Sequence, residues 1–508
     1  MAEPAPQIAR SAAHGTARAA APLALVWAFS AFAFFPVTRT FFHHDDFLHL
    51  YDIVSEPALR FIFKMHGFHL LLVTKSVFWA TYALAGPNPG AYMWSEFVVH
   101  LLNGALLFTI ADTLTDRRWL ASGCAIAWST QLLQEGTLNA YSVFGQTLCT
   151  AFILWALLRT VRLADGRPLS WAGACGSALA IVAASSCFGV GLGVAVAMPI
   201  VAVLTVPPSQ ARRRAVVAFV AAVPVIASLY LVVEAWNVSM LGAYAASTFA
   251  PRDLSSLLAM GALLAHLLAV GAVALSLDGF FRAALYPGAA VVLIVSMVTV
   301  LAIVGVRAAT VGQRRAFLAM LLLSTAAYAT IAAGRIFVGL APSVIALWPR
   351  YHYTATAGLA LAIAIAVGGL ARRLDGYPSL RGAVFVGWLL AIVITHQFVA
   401  PRIDNYDVYR RGVASALEAM RTTVAAAPPG AIVRLENRGF PIGIMMPGIK
   451  VEFPGWFALH AVFVNSEFLD GHSIRFVEPD EAIRARGRAG RLGATMLISP
   501  DAEAVQAR

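Results

Sequence analysis

Runs of about 18 or more apolar residues recur along this chain from Ala21 to Val399, and they constrain its fold more than any other feature. Each run is long enough to cross a bilayer as a helix. In hydrocarbon every backbone amide must find its partner within its own segment, so helices are the solution for runs of this length. The pattern places spans near 21–38, 90–113, 119–134, 142–160, 170–186, 188–206, 215–236, 286–306, 316–336, 351–371 and 383–401. Composition agrees. Only 12% of the residues are charged, about half the share that coats an ordinary soluble domain.

The net charge of +11 sits largely in short arginine-bearing loops: Arg117/Arg118, Arg159/Arg162/Arg167, Arg212–Arg214, Arg307/Arg314/Arg315 and Arg372/Arg373/Arg381. That is the pattern of cytoplasmic loops, and it argues against nucleic acid as a partner. With those loops inside, residues 1–20 form a cytoplasmic tail and the first span is an uncleaved anchor. The 39–89 loop, the turn at Glu135, the 237–285 region and Trp348–Tyr353 then face outward. Residues 255–277 are apolar enough to span, but a span there breaks this parity. Residues 255–285 are therefore read as an interfacial or re-entrant helical segment on the outer face, with a true twelfth span as the competing reading.

After about Pro401 charge, glycine and proline rise. Asp404–Thr423 has helical spacing, while Ala431–Leu435 and Thr495–Ile498 read as β-like. The expected fold class is an all-α polytopic membrane protein of about eleven spans (21–401). A small extracytoplasmic α/β domain (402–508) follows, of ordinary domain size. Cys124, Cys149, Cys175 and Cys187 lie in apolar runs without metal spacing and read as small hydrophobes. The sequon at Asn237 is weak, and the basic run Arg484–Arg491 reads as a solvated face.

Four stretches carry candidate chemistry. The first loop, FFHHDDFLHLYDIVSE, gathers His43, His44, Asp45, Asp46, His49, Asp52 and Glu56 just after a span. Adjacent carboxylates at a membrane surface need stabilisation, and one of them can serve as a general base toward an acceptor hydroxyl. A solvated loop reads equally from those residues; a metal site built from His43, His44 and the aspartates is a third reading, weaker because neighbouring histidines on one short stretch rarely converge on one ion. In the second stretch His69 and Lys75 interrupt an apolar segment. His100 and Asn103 follow one helical turn apart, as an interhelical hydrogen-bonding pair would be. In the third, Glu135 occupies a short turn and is a candidate second acid. In the fourth, Arg350 opens a span between Trp348, Tyr351, His352 and Tyr353. It reads either as a snorkelling arginine in an aromatic belt or as a phosphate clamp.

In this order the four stretches resemble the GT-C superfamily of membrane glycosyltransferases, in particular the protein O-mannosyltransferase branch with its tetratricopeptide-bearing members and bacterial relatives. Asp45–Asp46 looks like the family's acidic pair. GPNPGAYMWSEFVVHLLNGALL keeps Gly86, Pro89, Tyr92, His100 and Asn103 of a family segment; LQEGT supplies Glu135; WPRYHYTATAG keeps Arg350, Tyr351, Tyr353 and Gly358. The chain departs from the pattern at Phe68-His69-Leu70-Leu71, where the family has an arginine. It departs again at Ser185–Gly189 (SSCFG), where the family has lysine and glutamate. The 402–508 tail stands in place of tetratricopeptide repeats.

The resemblance implies an inverting transfer from a polyprenyl-phosphate-linked sugar to a glycan, lipid or protein hydroxyl on the outer face of the plasma membrane. Asp45 or Asp46 would be the base and Glu135 a second acid. Arg350, Tyr351, Lys75 and His69 would hold the donor phosphate. His43, His44, His352 and Tyr353 would line the substrate. No metal is required, and Mg²⁺ or Mn²⁺ at Asp45 is compatible. A flippase for lipid-linked substrates and a non-catalytic assembly protein on the same fold are the alternatives.

Overall fold

In a computed structural model the chain is almost entirely helical through residue 373. The structure describes residues 8–42, 45–66, 69–241, 253–283, 296, 299–300, 302–336, 340–373, 433–436, 473–475 and 495–499. The helices are α1 (Ile8–Phe34), α2 (Asp45–Ser55), α3 (Ala58–Phe63), α4 (Leu72–Ala85), α5 (Pro89–Thr115), α6 (Arg118–Thr130), α7 (Glu135–Leu138), α8 (Phe144–Val161), α9 (Trp171–Cys187), α10 (Val190–Thr205), α11 (Gln210–Leu241), α12 (Leu254–Ala283), α13 (Val311–Arg335), α14 (Pro342–Ile345) and α15 (Tyr353–Arg373).

Among the described residues seven stretches are long and apolar enough to cross a membrane: Ala20–Arg39, Pro89–Thr115, Tyr141–Asp165, Gln210–Ser239, Leu254–Leu275, Val311–Arg335 and Tyr353–Arg372. The apolar helices α9 and α10 are shorter. Outward-facing side chains fit lipid rather than water. Phe32, Leu84, Leu231, Val232 and Leu258 are all largely exposed, and in hydrocarbon that exposure carries no cost.

The expected count of eleven spans differs from these seven for identifiable reasons. The predicted 119–134 span is a helix of only 13 residues, about 20 Å long. Residues 383–401 lie outside the described residues, and 286–306 do so in large part. The 255–277 segment belongs to one uninterrupted helix of 30 residues, packed on α13 and α15. It has the length of a full span rather than the break of a re-entrant turn.

Local sequence explains the boundaries. Helix α5 starts at Pro89, and Asn88 accepts from the Gly90 N–H at 3.1 Å, a cap with proline in the first turn. Helix α13 starts with a reciprocal Thr310–Gln313 capping box. His100 and Asn103 bond across helices, as their spacing predicts. His100 meets the Tyr353 hydroxyl at 2.8 Å and the Ser129 carbonyl at 2.9 Å. Asn103 Nδ2 donates to the Thr147 carbonyl at 2.9 Å.

The bundle has two chemically distinct ends. At one, Gln313 donates to the Leu114 carbonyl and Arg372 donates to Gln313. Arg214 donates there to the Leu169 carbonyl, and most of the arginine loops gather at this end. At the other end lie the first loop, the Glu135 turn and Arg350. Of residues 402–508 the structure describes β1 (Val433–Glu436), β2 (Ser473–Arg475) and β3 (Thr495–Ser499). They form an antiparallel sheet in the order β1-β3-β2, with Val433 and Ile474 both opposite Ile498. The two β-like runs are thus strands. The predicted 404–423 helix lies outside the described residues.

Candidate active site

The first loop folds into α2 and α3, and the acidic pair opens α2. Carboxylates belong in a helix's first turn, where the backbone N–H groups point outward unpaired. A helix turns about 100° per residue, so the two aspartates face different ways. Asp46 is fully buried and accepts from the Ser142 N–H at 2.5 Å. The Asp45 side chain is 40% exposed and lies 3.6 Å from His66 Nε2. Asp46 thereby ties the loop to the 141–143 turn, and Asp45 faces the open side.

A brace holds the rest of the loop. Lys64 pairs with Asp52 at 2.8 Å and Glu56 at 2.9 Å. Burial works against its ammonium, but the two carboxylates outweigh burial and hold the pKa above the ordinary lysine value. Lys75 donates to the Lys64 carbonyl at 2.6 Å and lies over the Phe61 ring. Burial pulls its pKa down to about 8, although Asp52 draws it upward. Asn237, the sequon residue, is buried; it donates to the Phe63 carbonyl and accepts from the Met65 N–H, both at 2.9 Å. It latches the loop to α11, which leaves its amide engaged within the fold.

Glu135 begins α7 and is buried. The turn it opens packs against Pro349–Tyr351. A Cβ on Gly136 would stand 2.5 Å from Pro349 Cβ and 2.6 Å from the Arg350 backbone nitrogen, so only glycine permits this approach. We expect Gly136→Ala to force the turn off the Arg350 segment and to lower turnover about 10²-fold, the scale of a 1 Å misplacement. Steady-state kinetics beside a melting curve tests this, and unchanged turnover would show that the contact does not position the site.

Arg350 stands 5.1 Å from the Trp348 ring centroid and 5.7 Å from that of Tyr351. A second arginine, Arg335 at the end of α13, stands 5.4 Å from the same Tyr351 ring. No carboxylate pairs with either arginine among the described residues. The Tyr351 hydroxyl is buried with no hydrogen-bond partner there. Two guanidinium groups without a carboxylate partner and a hydroxyl without a hydrogen-bond partner, all counted among the described residues, have the chemistry to bind an anion.

His69 borders this site. It stacks on Phe188 at 4.8 Å, and a Cβ on Gly189 would reach within 2.7 Å of its Nδ1. The two places where the sequence departs from the family pattern therefore touch each other. Burial lowers the His69 pKa to about 3, helped by the charges of Arg335, His66 and Arg350. Burial likewise lowers that of His49, helped by His66, Lys75 and Lys64. Both imidazoles are neutral when folded and regain their ordinary range near 6.5 when unfolded. Below that range the unfolded chain binds more protons, so stability falls with acid until His69 titrates near 3. We expect the melting temperature in detergent to drop between pH 7 and pH 5.5 by the equivalent of about 1 kcal/mol per histidine. His69→Phe, which keeps the stack on Phe188, is expected to flatten the slope, and a melting temperature constant over that window would contradict the assignment.

The other predicted residues sit elsewhere. Both ring nitrogens of His352 are engaged, with the Tyr328 hydroxyl and the Ala346 carbonyl, each at 2.7 Å. The Tyr353 hydroxyl serves His100 and Asn103 inside the bundle. His43 and His44 lie outside the described residues. Among the described residues no group of three or more His, Cys, Asp or Glu could hold a metal ion.

Sequence reasoning did not pick out Arg335, Ser142, His66 or Glu96. Glu96 is fully buried in α5, and neither carboxylate oxygen has a partner among the described residues. It lies within electrostatic reach of Asp46. It is the sole acidic residue between Glu56 and Asp112, and an acid inside an apolar run is the signal that would have flagged it.

No protein-family model matches the chain, and a search of curated proteins gives no significant match. A comparison with solved structures gives matches, of which one can be described. It is the crystal structure of ArnT from Cupriavidus metallidurans bound to undecaprenyl phosphate, with a TM-score of 0.49 and 14% identity over 96% of this chain and 98% of that one.

Proposed function

We propose that the chain is a GT-C-type glycosyltransferase that moves a sugar from a polyprenyl-phosphate-linked donor to a hydroxyl acceptor. The observation that carries this reading is one continuous segment with two ends. At Gly136 it packs against the Arg350 backbone, where Arg350 and Arg335 both approach the Tyr351 ring. At Ser142 it bonds the acidic pair of the first loop. A base and an anion clamp held at the two ends of one short segment suit a direct displacement.

Asp45 takes the acceptor's hydroxyl proton, because it is the exposed member of the pair. The acceptor oxygen forms its bond to the anomeric carbon from the face opposite the phosphate. The C–O bond to phosphate breaks, and its electron pair leaves with the lipid phosphate, whose charge Arg350 and Arg335 neutralise. The configuration inverts and no covalent intermediate forms. Asp46 positions the loop through Ser142. Glu135 supports the Arg350 segment, Lys75 braces the first loop, and His352 and Tyr353 belong to the framework.

We assign the arginine-rich end of the bundle to the cytoplasmic side, with the site outside and the N-terminal tail inside. The two guanidinium groups take the electrostatic part that a Mg²⁺ or Mn²⁺ would otherwise play at the phosphate. Transfer rates are therefore expected to survive EDTA, and loss of activity restored by added metal would assign Asp45 to a cation instead. The decisive assay offers purified protein a panel of polyprenyl-phosphate sugars and hydroxyl acceptors. Transfer from one donor is expected, and transfer from none overturns the reading.

A further inference from the structure

In the transfer just proposed, the donor's sugar ring must lie between the arginines and Asp45. Residues 137–141 cross that interval, with Gly136 against Arg350 at one end and Ser142 on Asp46 at the other. On and beside this segment buried polar atoms collect without partners among the described residues. Thr137 Oγ1 has none, nor do Asn139 Nδ2 and Oδ1. One helical turn beyond Ser142, both polar atoms of the Gln146 side chain are also unpartnered. Glu96 adds two carboxylate oxygens from α5, within electrostatic reach of Asp46, Tyr141 and Tyr353. All four side chains are more than nine-tenths buried.

Native folds pair nearly all such atoms, and an unpaired cluster calls for a ligand. The chemistry of this cluster is specific. Its oxygens outnumber its N–H donors, and one group is a carboxylate. Hydroxyl groups satisfy such a set, since each donates to an oxygen while accepting from an amide. None of the four side chains is a cation, so a carboxylated or phosphorylated ring would bury its charge among them without a counter-ion. Packed aromatic rings, Tyr92 on Tyr141 at 4.8 Å and Tyr141 on Phe144 at 4.7 Å, give the same region apolar walls.

We infer that Glu96, Thr137, Asn139 and Gln146 form the subsite for the donor's sugar, and that this sugar is an uncharged polyhydroxylated ring. The inference rests on the transferase reading above and assigns the sugar class that reading leaves open.

The test measures binding, by displacement of a fluorescent polyprenyl phosphate from the purified full-length protein. Its probes are undecaprenyl phosphate alone, the same lipid carrying a neutral hexose, and the same lipid carrying a hexuronic acid. Wild type is expected to bind the hexose lipid at least tenfold more tightly than the bare lipid phosphate, and the uronic acid lipid no more tightly than the bare one. Glu96→Gln and Asn139→Ala are expected to erase the hexose gain while leaving bare lipid phosphate binding within about twofold. Gln146→Ala is the further variant should Glu96→Gln fail to fold. Equal binding of bare and hexose lipids by wild type, a gain that survives all the variants, or preference for the uronic acid lipid each overturns the inference while leaving the phosphate clamp intact. Failure to bind even bare undecaprenyl phosphate removes the clamp, and the inference with it. A gain for an aminodeoxy hexose larger than for the neutral one overturns the uncharged assignment.

Discussion

Asp45→Asn is expected to lower transfer by about 10²–10⁴-fold, the range that a positioned general base supplies, with a melting temperature close to wild type. Asp46→Asn is expected to do the reverse, costing about 1–3 kcal/mol of stability and touching turnover only as far as the loop loosens. The contrast follows from two side chains one residue apart. Asp45 is partly open to solvent and pairs loosely with His66, so an acceptor hydroxyl can reach it. Asp46 is sealed inside, where its carboxylate answers the Ser142 N–H. Asparagine keeps an acceptor oxygen but loses the charge that strengthens this bond. Turnover with a fixed donor and a thermal melt, measured on both variants, separate the two roles. An active Asp45→Asn beside a folded but inactive Asp46→Asn would exchange them.

The membrane character of the chain is legible in its sequence because run length and amide pairing leave helices as the solution. The interhelical tie of His100 and Asn103 is equally legible, since two polar residues one turn apart in a span need partners across it. The stretches at Asp45, Glu135 and Arg350 are prominent for a related reason, being polar insertions beside apolar runs. What the sequence hides is direction. Adjacent aspartates look alike on paper, and only the helix start at Asp45 turns one inward and the other out. Lys75 resembles a phosphate ligand until its ammonium is found bonded to the Lys64 carbonyl. Helix α12 shows two signals in tension: the loop charges argue against a span there, while the apolar helix runs 30 residues without a break. Arg335 was overlooked because it ends an apolar run as an ordinary snorkelling arginine would, and its approach to Tyr351 bridges 16 positions of chain that no local pattern connects.

That approach leads to the second large effect. Arg335→Ala and Arg350→Ala are each expected to lower kcat/KM for the lipid-linked donor by about 30- to 10³-fold, equivalent to about 2–4 kcal/mol. Both guanidinium groups lie by one tyrosine ring without a carboxylate partner among the described residues. Among the described residues their charge is therefore not already neutralised by a carboxylate. A departing phosphate gains negative charge as its bond to the sugar breaks, so an arginine acts more strongly on the transition state than on the bound donor. The loss should accordingly appear in kcat as well as in KM. Lysine is expected to restore little at either position, because an ammonium cannot offer the planar pair of N–H donors that grips two phosphate oxygens. The Tyr351 hydroxyl, without a partner among the described residues, adds a third donor, and Tyr351→Phe should cost about tenfold, the low end for a hydrogen bond to a charged group. Inhibition by free undecaprenyl phosphate gives an independent reading and should weaken in parallel in both arginine variants. If Arg335→Ala keeps wild-type kinetics and inhibition while Arg350→Ala does not, Arg335 merely packs on Tyr351 and a single arginine holds the phosphate. If both variants keep them, the phosphate binds elsewhere, and the short path from Arg350 to Asp45 loses its meaning as a reaction coordinate.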